Sequence, residues 1–343
     1  MVNRNSNNLS TTWQVLFLTL FFNLQSLSSS LMATDAPPPL AELSYKLVNN
    51  RVQLTAYVDN TELHFLLDTG ASRTVLFQTD KHPFTNLPQV GQTEVIFPAL
   101  DEIISGITLG TFDINLGKHI FTPPQALLIQ KSAPVGDRLS VKFDGILGQD
   151  FFMKYLVEVN PKTRLLRIYH SGTKLKKRFR TRLNLHMDGN APHIKFMNKF
   201  PWEHYSKPKK LLLDTGYPGS MVIWSERHFR RAAGIGKVDD MRKKNIGIFT
   251  RATFTVGSLR FFSAPIFIAA NEPKQANKRD GLLGSNVLSQ FHHAIDFQSK
   301  KLWLSVVGVH KSGVDGAYYL PNNEDFIVRD FDRPKSSPML VIE

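Results

Sequence analysis

The sequence predicts a mostly β protein made of two similar units in tandem. Two phrases and the composition carry that reading. Leu66-Leu67-Asp68-Thr69-Gly70 returns as Leu212-Leu213-Asp214-Thr215-Gly216, each time an apolar run ending in an acid, a hydroxyl and a glycine. Asp144-Gly145-Ile146-Leu147-Gly148 likewise returns as Asp280-Gly281-Leu282-Leu283-Gly284. The 19 prolines and 25 phenylalanines among short apolar runs suit strands and turns better than a helical bundle. A given tripeptide such as Asp-Thr-Gly should occur by chance in roughly one chain of this length in ten or twenty. Two copies, each behind a leucine pair, are much rarer.

The first unit opens with Val52, Leu54, Ala56 and Val58 alternating in strand period. Asp59-Asn60 signals a turn, and residues 62–67 return as the strand that delivers Asp68. Residues 74–77 leave the loop as another strand. In the second unit residues 209–213 enter and 220–224 leave. Ile107-Thr108-Leu109-Gly110 matches Phe254-Thr255-Val256-Gly257, each at nearly the same distance after its aspartate. Between aspartate and glycine each unit has room for a hairpin, over residues 94–104 and 246–252. Ser225 is an N-cap candidate for a helix reaching Ala233. An extra loop around residues 131–139 lengthens the first unit. Short helices are expected over 149–155 and 285–291, each followed by a strand pair: 156–159 with 165–168, and 294–297 with 302–305.

A carboxylate after a buried strand is an expensive place for a charge unless hydrogen bonds or function justify it. Asp-Thr-Gly followed by an apolar-apolar-Gly triplet resembles the aspartic proteases, and Asp68-Thr69-Gly70-Ala71-Ser72 is most similar to their retropepsin-like branch. The resemblance runs from about Tyr45 to Val306. It implies two tandem retropepsin-like (acid protease) β lobes, each expected as a β-barrel, with the active cleft between them. It puts a catalytic pair at Asp68 and Asp214, holding the lytic water between them. Two carboxyls in one site cannot comfortably both ionise, so one acts as base while the other holds a proton. Thr69, Gly70, Thr215 and Gly216 would support the loops, the threonines by hydroxyl-to-backbone bonds across them. Ile146, Leu147 and Gly148, with Leu282, Leu283 and Gly284, would buttress the loops from beneath. The hairpins would be substrate-covering flaps.

The implied activity is aspartic-type endopeptidase, acting on extended polypeptide without a cofactor or metal. The rival is a catalytically silent peptide-binding protein with the same fold. Asp144 and Asp280 also repeat, but at the turn into each triplet they read as local hydrogen-bond acceptors. Tyr217 and Pro218 stand where the first unit has Ala71 and Ser72, so the loops are not symmetric. His292 and His293, adjacent on a strand, point to opposite faces and do not suggest a shared metal.

Arg4, the apolar run from Trp13 to Phe22 and the small residues Ala33 and Ala36 read as a cleaved signal peptide. The expected location is periplasmic or secreted. The expected division is a signal peptide at 1–33, a proline-rich linker at 34–44, an N-terminal lobe at 45–170 and a basic linker at 171–181. A C-terminal lobe at 182–306 and a packed or frayed tail at 307–343 complete it. Without cysteine, neither disulfides nor thiolate metal sites form. The net charge of +13 comes with no nucleic-acid module, so no nucleic-acid partner is expected. It reads as a solvated basic face with weak contact to an acidic envelope surface. Both aspartates lie in one chain, so a monomer with pseudo-twofold symmetry is expected.

Overall fold

The structure is a computed structural model describing residues 37–97, 102–130, 143–175, 179–234, 247–256, 259–270, 279–307, 328–330 and 340–342. The expected signal peptide and the loop around 131–139 lie outside the described residues. Among the described residues strand makes up 56% and helix 8%, so the mostly β expectation holds.

β1 (Ala41–Val48) turns at Asn49 and Asn50, with φ of 49° and 61°, into β2 (Arg51–Val58). Two successive left-handed residues match the twist of a two-residue hairpin, and asparagine tolerates that region best after glycine. Asp59 and Asn60 repeat the device with φ of 45° and 62° and start β3 (Thr61–Leu67). Leu54, Ala56 and Val58 are buried while Thr55 and Tyr57 are exposed, the strand period read from the sequence. Then come β4 (Val75–Gln78), the antiparallel pair β5 (Gln89–Phe97) and β6 (Glu102–Leu109), and the pair β7 (Ile114–Leu116) and β8 (His119–Phe121). β9 (Ala126–Gln130), β10 (Gly145–Leu147), α1 (Gln149–Lys154), β11 (Tyr155–Asn160) and β12 (Leu165–His170) end this half.

The second half starts with β13 (Thr181–Asn184), β14 (His186–Asp188), β15 (Ala191–Lys199), β16 (Lys207–Asp214) and β17 (Met221–Trp224). Helix α2 (Glu226–Ala233) is capped by Ser225, whose hydroxyl accepts from the His228 amide at 3.3 Å, and stops at left-handed Gly234. β18 (Gly247–Val256), β19 (Leu259–Ala269), β20 (Gly281–Gly284), the single turn α3 (Ser285–Leu288), β21 (Phe291–Asp296) and β22 (Lys301–Val306) follow. Beyond them, β23 (Val328–Asp330) and β24 (Leu340–Ile342) pair with β18 and β19.

Strand pairing around the two phrases is the same in both halves. β10 runs parallel to β3 and antiparallel to β4, which runs parallel to β9. β20 runs parallel to β16 and antiparallel to β17, which runs parallel to β19. The halves differ at the hairpin. Residues 247–252 do not turn back on themselves; they begin the ten-residue strand β18, which pairs with β15 as well as β19. The second flap expected there is therefore corrected to one continuous strand.

The closing strand pairs of the two halves merge: β11 lies antiparallel to β21, with Val157 opposite Ile295. β13, β22, β21, β11, β12 and β1 thereby form a run that continues into the first half's strands. Phe152 on α1 stacks on Phe297 at 5.2 Å across this junction. The barrel expectation is corrected for the first half. Among the described residues the first half's strands belong to an open sheet, long β1 being shared between β12 and β2, whereas in the second half β15, β16, β20, β17, β19 and β18 pair in succession and β18 returns to β15.

Two buried acids occupy matching places in the joined sheet. Glu158 on β11 accepts from the Tyr169 hydroxyl at 2.7 Å and lies 2.6 Å from His292 Nε2. Asp296 on β21 accepts from the Ser171 hydroxyl at 2.6 Å and the Gly172 amide at 2.8 Å. Each acid reaches across to the other half. The two histidines divide as expected, His293 being buried with Nδ1 3.0 Å from the Phe291 carbonyl.

Candidate active site

Parallel pairing brings the phrases of each half side by side. Leu67 lies opposite Leu147, and Leu213 and Asp214 lie opposite Leu283 and Gly284. The Asp68 amide donates to the Leu147 carbonyl at 3.0 Å, which holds the end of β3 over the triplet. The chain then turns on the acid itself. One oxygen of Asp68 accepts from the amides of Gly70 (2.7 Å) and Ala71 (3.3 Å). One oxygen of Asp214 accepts from those of Gly216 and Tyr217, both at 3.0 Å.

The threonines tie the loops together. Thr69 donates its hydroxyl to the Leu213 carbonyl at 2.6 Å and accepts from the Thr215 amide at 3.0 Å. Thr215 donates to the Leu67 carbonyl at 2.9 Å and accepts from the Thr69 amide at 2.9 Å. Both are buried, so these four bonds leave no polar atom of the crossing to water.

The glycines bring the acids together. A Cβ on Gly70 would lie 2.8 Å from Asp214 Cγ, and one on Gly216 would lie 2.3 Å from Asp68 Cγ. Each acid therefore rests on the other loop's glycine, and the two carboxyls share a hydrogen bond. Burial pushes Asp68 above the ordinary aspartate range, opposed by the Gly70 and Ala71 amides. Burial, then the charge of Asp68, pushes Asp214 up to about 8. Like charges this close in a part-buried site disfavour double ionisation, so the pair keeps a proton near neutrality.

The triplets lie directly beneath. A Cβ on Gly148 would fall 2.4 Å from the Arg73 carbonyl, and one on Gly284 would fall 2.1 Å from the Gly219 carbonyl. Ile146, Leu147 and Leu283 are buried and Leu282 is half-buried. Gln149, not singled out in the sequence, donates its amide side chain to the Thr69 carbonyl at 3.0 Å. Asp144 and Asp280 stay outside the cluster. Asp144 accepts from the His64 amide at 3.0 Å and Asp280 from the Lys210 amide at 2.7 Å; they are acceptors as expected, but their donors are distant in the chain, on the neighbouring parallel strand, rather than local. The asymmetry at Tyr217 is present: its ring packs against Gly219 and Gly284, and burial with the Asp214 charge raises its phenol.

Residues 54–151 match the family model described as aspartyl protease. The matched segment is similar to the retropepsin-like aspartyl proteases and carries Asp68, Thr69 and Gly70 together with the triplet ending at Gly148. No curated protein matches the chain. An aspartyl protease domain indicates a peptidase in general. In a pair of carboxyls that keeps one proton, the ionised group can accept a proton from water and the other can donate one.

A residue that sequence reasoning missed lies just outside the matched segment. Arg51, just before the matched segment, is only 2% exposed and places Nη1 3.5 Å from the Gly216 carbonyl. Beside it, Asn50 Nδ2 lies 3.4 Å from the Pro218 carbonyl. The turn between β1 and β2 thus packs on the loop that carries the second acid. An arginine at a strand start was its one signal, and in sequence a buried one is indistinguishable from a solvated one.

Proposed function

We propose that this chain is an exported aspartic endopeptidase that hydrolyses peptide bonds with a water activated between Asp68 and Asp214. The observation that carries the reading is the reciprocal seating of each acid against the other loop's glycine, with the pair holding a proton. In this proposal Thr69, Gly70, Thr215 and Gly216 hold the geometry and the two triplets support it from below. The substrate is an extended polypeptide that lies along the cleft under the hairpin β5–β6, adding its backbone to exposed strand edges. The two halves, residues 45–170 and 182–306, are read as an internal duplication in which one polypeptide makes the whole site. Residues 1–33 direct export and are removed, so the mature chain begins near Thr34, to be checked by amino-terminal sequencing.

A silent peptide-binding role fits less well, because two close, buried carboxyls are costly to keep without a use. The deciding experiment incubates purified protein with a denatured protein, using Asp68→Asn as the blank. Fragments from the wild type alone support hydrolysis. Tight binding of intact substrate by both proteins, with no fragments, would sink it.

A further inference from the structure

We infer that Arg51 makes the pair unequal, holding the negative charge on Asp68 and leaving the proton to Asp214, so that Asp68 is the base and Asp214 the acid. The inference rests on the hydrolytic reading for its mechanistic meaning, but the charge placement itself is independent of it.

The geometry is one-sided. Arg51 is buried and its guanidinium touches the carbonyl of Gly216, the residue whose Cα abuts the Asp68 carboxyl. Strand register identifies the corresponding place in the other half. Gln53 pairs with Leu66, and Arg51 lies two residues before it; His193 pairs with Leu212, and Ala191 lies two residues before it. The second half thus has a methyl group where the first has a cation. A buried cation is weakly screened, and an opposite charge nearby favours the ionised carboxylate. The Arg51 charge does act on Asp68, in the direction that lowers its proton affinity.

The other charged and titratable groups around the pair do not cancel this. Arg279, ahead of β20, faces Asp214 but is part-exposed, lies over the Trp224 ring at 5.6 Å and also interacts with Asp188. Tyr217 presents a phenol held in its neutral form. His293, lining the cavity beneath Leu67 and Thr215, is pushed down to about 4 by burial and is neutral. Arg51 is therefore a positioning residue, acting through Asp68 rather than on substrate.

The test follows the two carboxyl carbons by NMR in full-length protein labelled at aspartate Cγ, with Asp68→Asn and Asp214→Asn used for assignment. In the wild type Asp68 should ionise first as pH rises. Asp214 ionising first overturns the inference without any Arg51 variant. Arg51→Met should raise the Asp68 midpoint by about one pH unit, a tenfold loss of ionised form at fixed pH. Arg51→Lys should restore most of it. If the methionine variant does not fold, Arg51→Gln must show the same rise, and an unmoved midpoint overturns the proposal. Rates on a denatured protein separate the two claims. Asp68 ionising first in a protein that cleaves nothing leaves the Arg51 role standing and removes the hydrolytic one. Cleavage with Asp214 ionising first does the reverse.

Discussion

Gly216 and Asp68 sit too close for any other residue to replace the glycine: a Cβ there would be 2.3 Å from the carboxyl carbon. Gly216→Ala must therefore push apart the two loops that the threonines hold together. We expect a loss of at least a hundredfold in turnover and about 1–3 kcal/mol in stability. Gly91→Ala is the control for stability, since nothing lies within 4 Å of its Cβ position; it should leave the unfolding midpoint unchanged. Steady-state rates and urea unfolding of both variants decide the matter, and an active Gly216→Ala enzyme would contradict the proposed site.

Asn at either acid keeps shape but removes the shared proton chemistry. Asp68→Asn and Asp214→Asn should each lose several orders of magnitude in turnover. The double variant should be hardly worse, because groups acting as a unit are non-additive. Substantial activity in Asp214→Asn alone would mean that the second half is only scaffold.

The same variants have a stability signature. Asp214 holds its proton more tightly folded than unfolded, its folded value being about 8 against an ordinary 3.8. Its contribution is thus favourable below the unfolded value and is lost as pH rises towards the folded one. Asp214→Asn lacks that loss. Its melting temperature relative to wild type should rise between about pH 4 and pH 8 and then level off, as calorimetry across that range would show. A difference independent of pH would refute the raised affinity.

Thr69 donates to Leu213 and accepts from Thr215, all within buried surroundings. Thr69→Val strands two backbone groups and should cost about 2–4 kcal/mol. Thr69→Ser keeps both bonds and should cost less than about 1 kcal/mol. Chemical unfolding of the pair reads the difference; a larger loss in Thr69→Ser than in Thr69→Val would mean that packing of the methyl group, not the hydroxyl, holds the crossing.

Glu158 and Asp296 fasten the joined sheet from opposite sides. Removing one partner from such a buried set leaves donors unpaired. Glu158→Ala and Asp296→Ala should each destabilise by about 3 kcal/mol or more. The mutually distant Asp144→Asn and Asp280→Asn should cost about 1 kcal/mol, because the asparagine oxygen still accepts from His64 or Lys210. Unfolding midpoints of the four proteins test this ordering.

The sequence by itself determined whatever local physics decides. The turn at Asp59-Asn60 and the cap at Ser225 depend on residues close in the chain. The repeated phrases likewise announced two loops of one kind. Only the tertiary structure decided that β11 would lie against β21, that β18 would run on instead of turning back, and that β18 would return to β15 while the first half's sheet stayed open. Backbone hydrogen bonds between strands are nearly blind to side-chain identity, so apolar alternation marks a strand without naming its partner. Arg51 shows the same limit in a side chain. On β2 it begins the row of Gln53 and Thr55, the parity that exposes Thr55, yet it is buried and its guanidinium meets the Gly216 carbonyl on the loop from the other half.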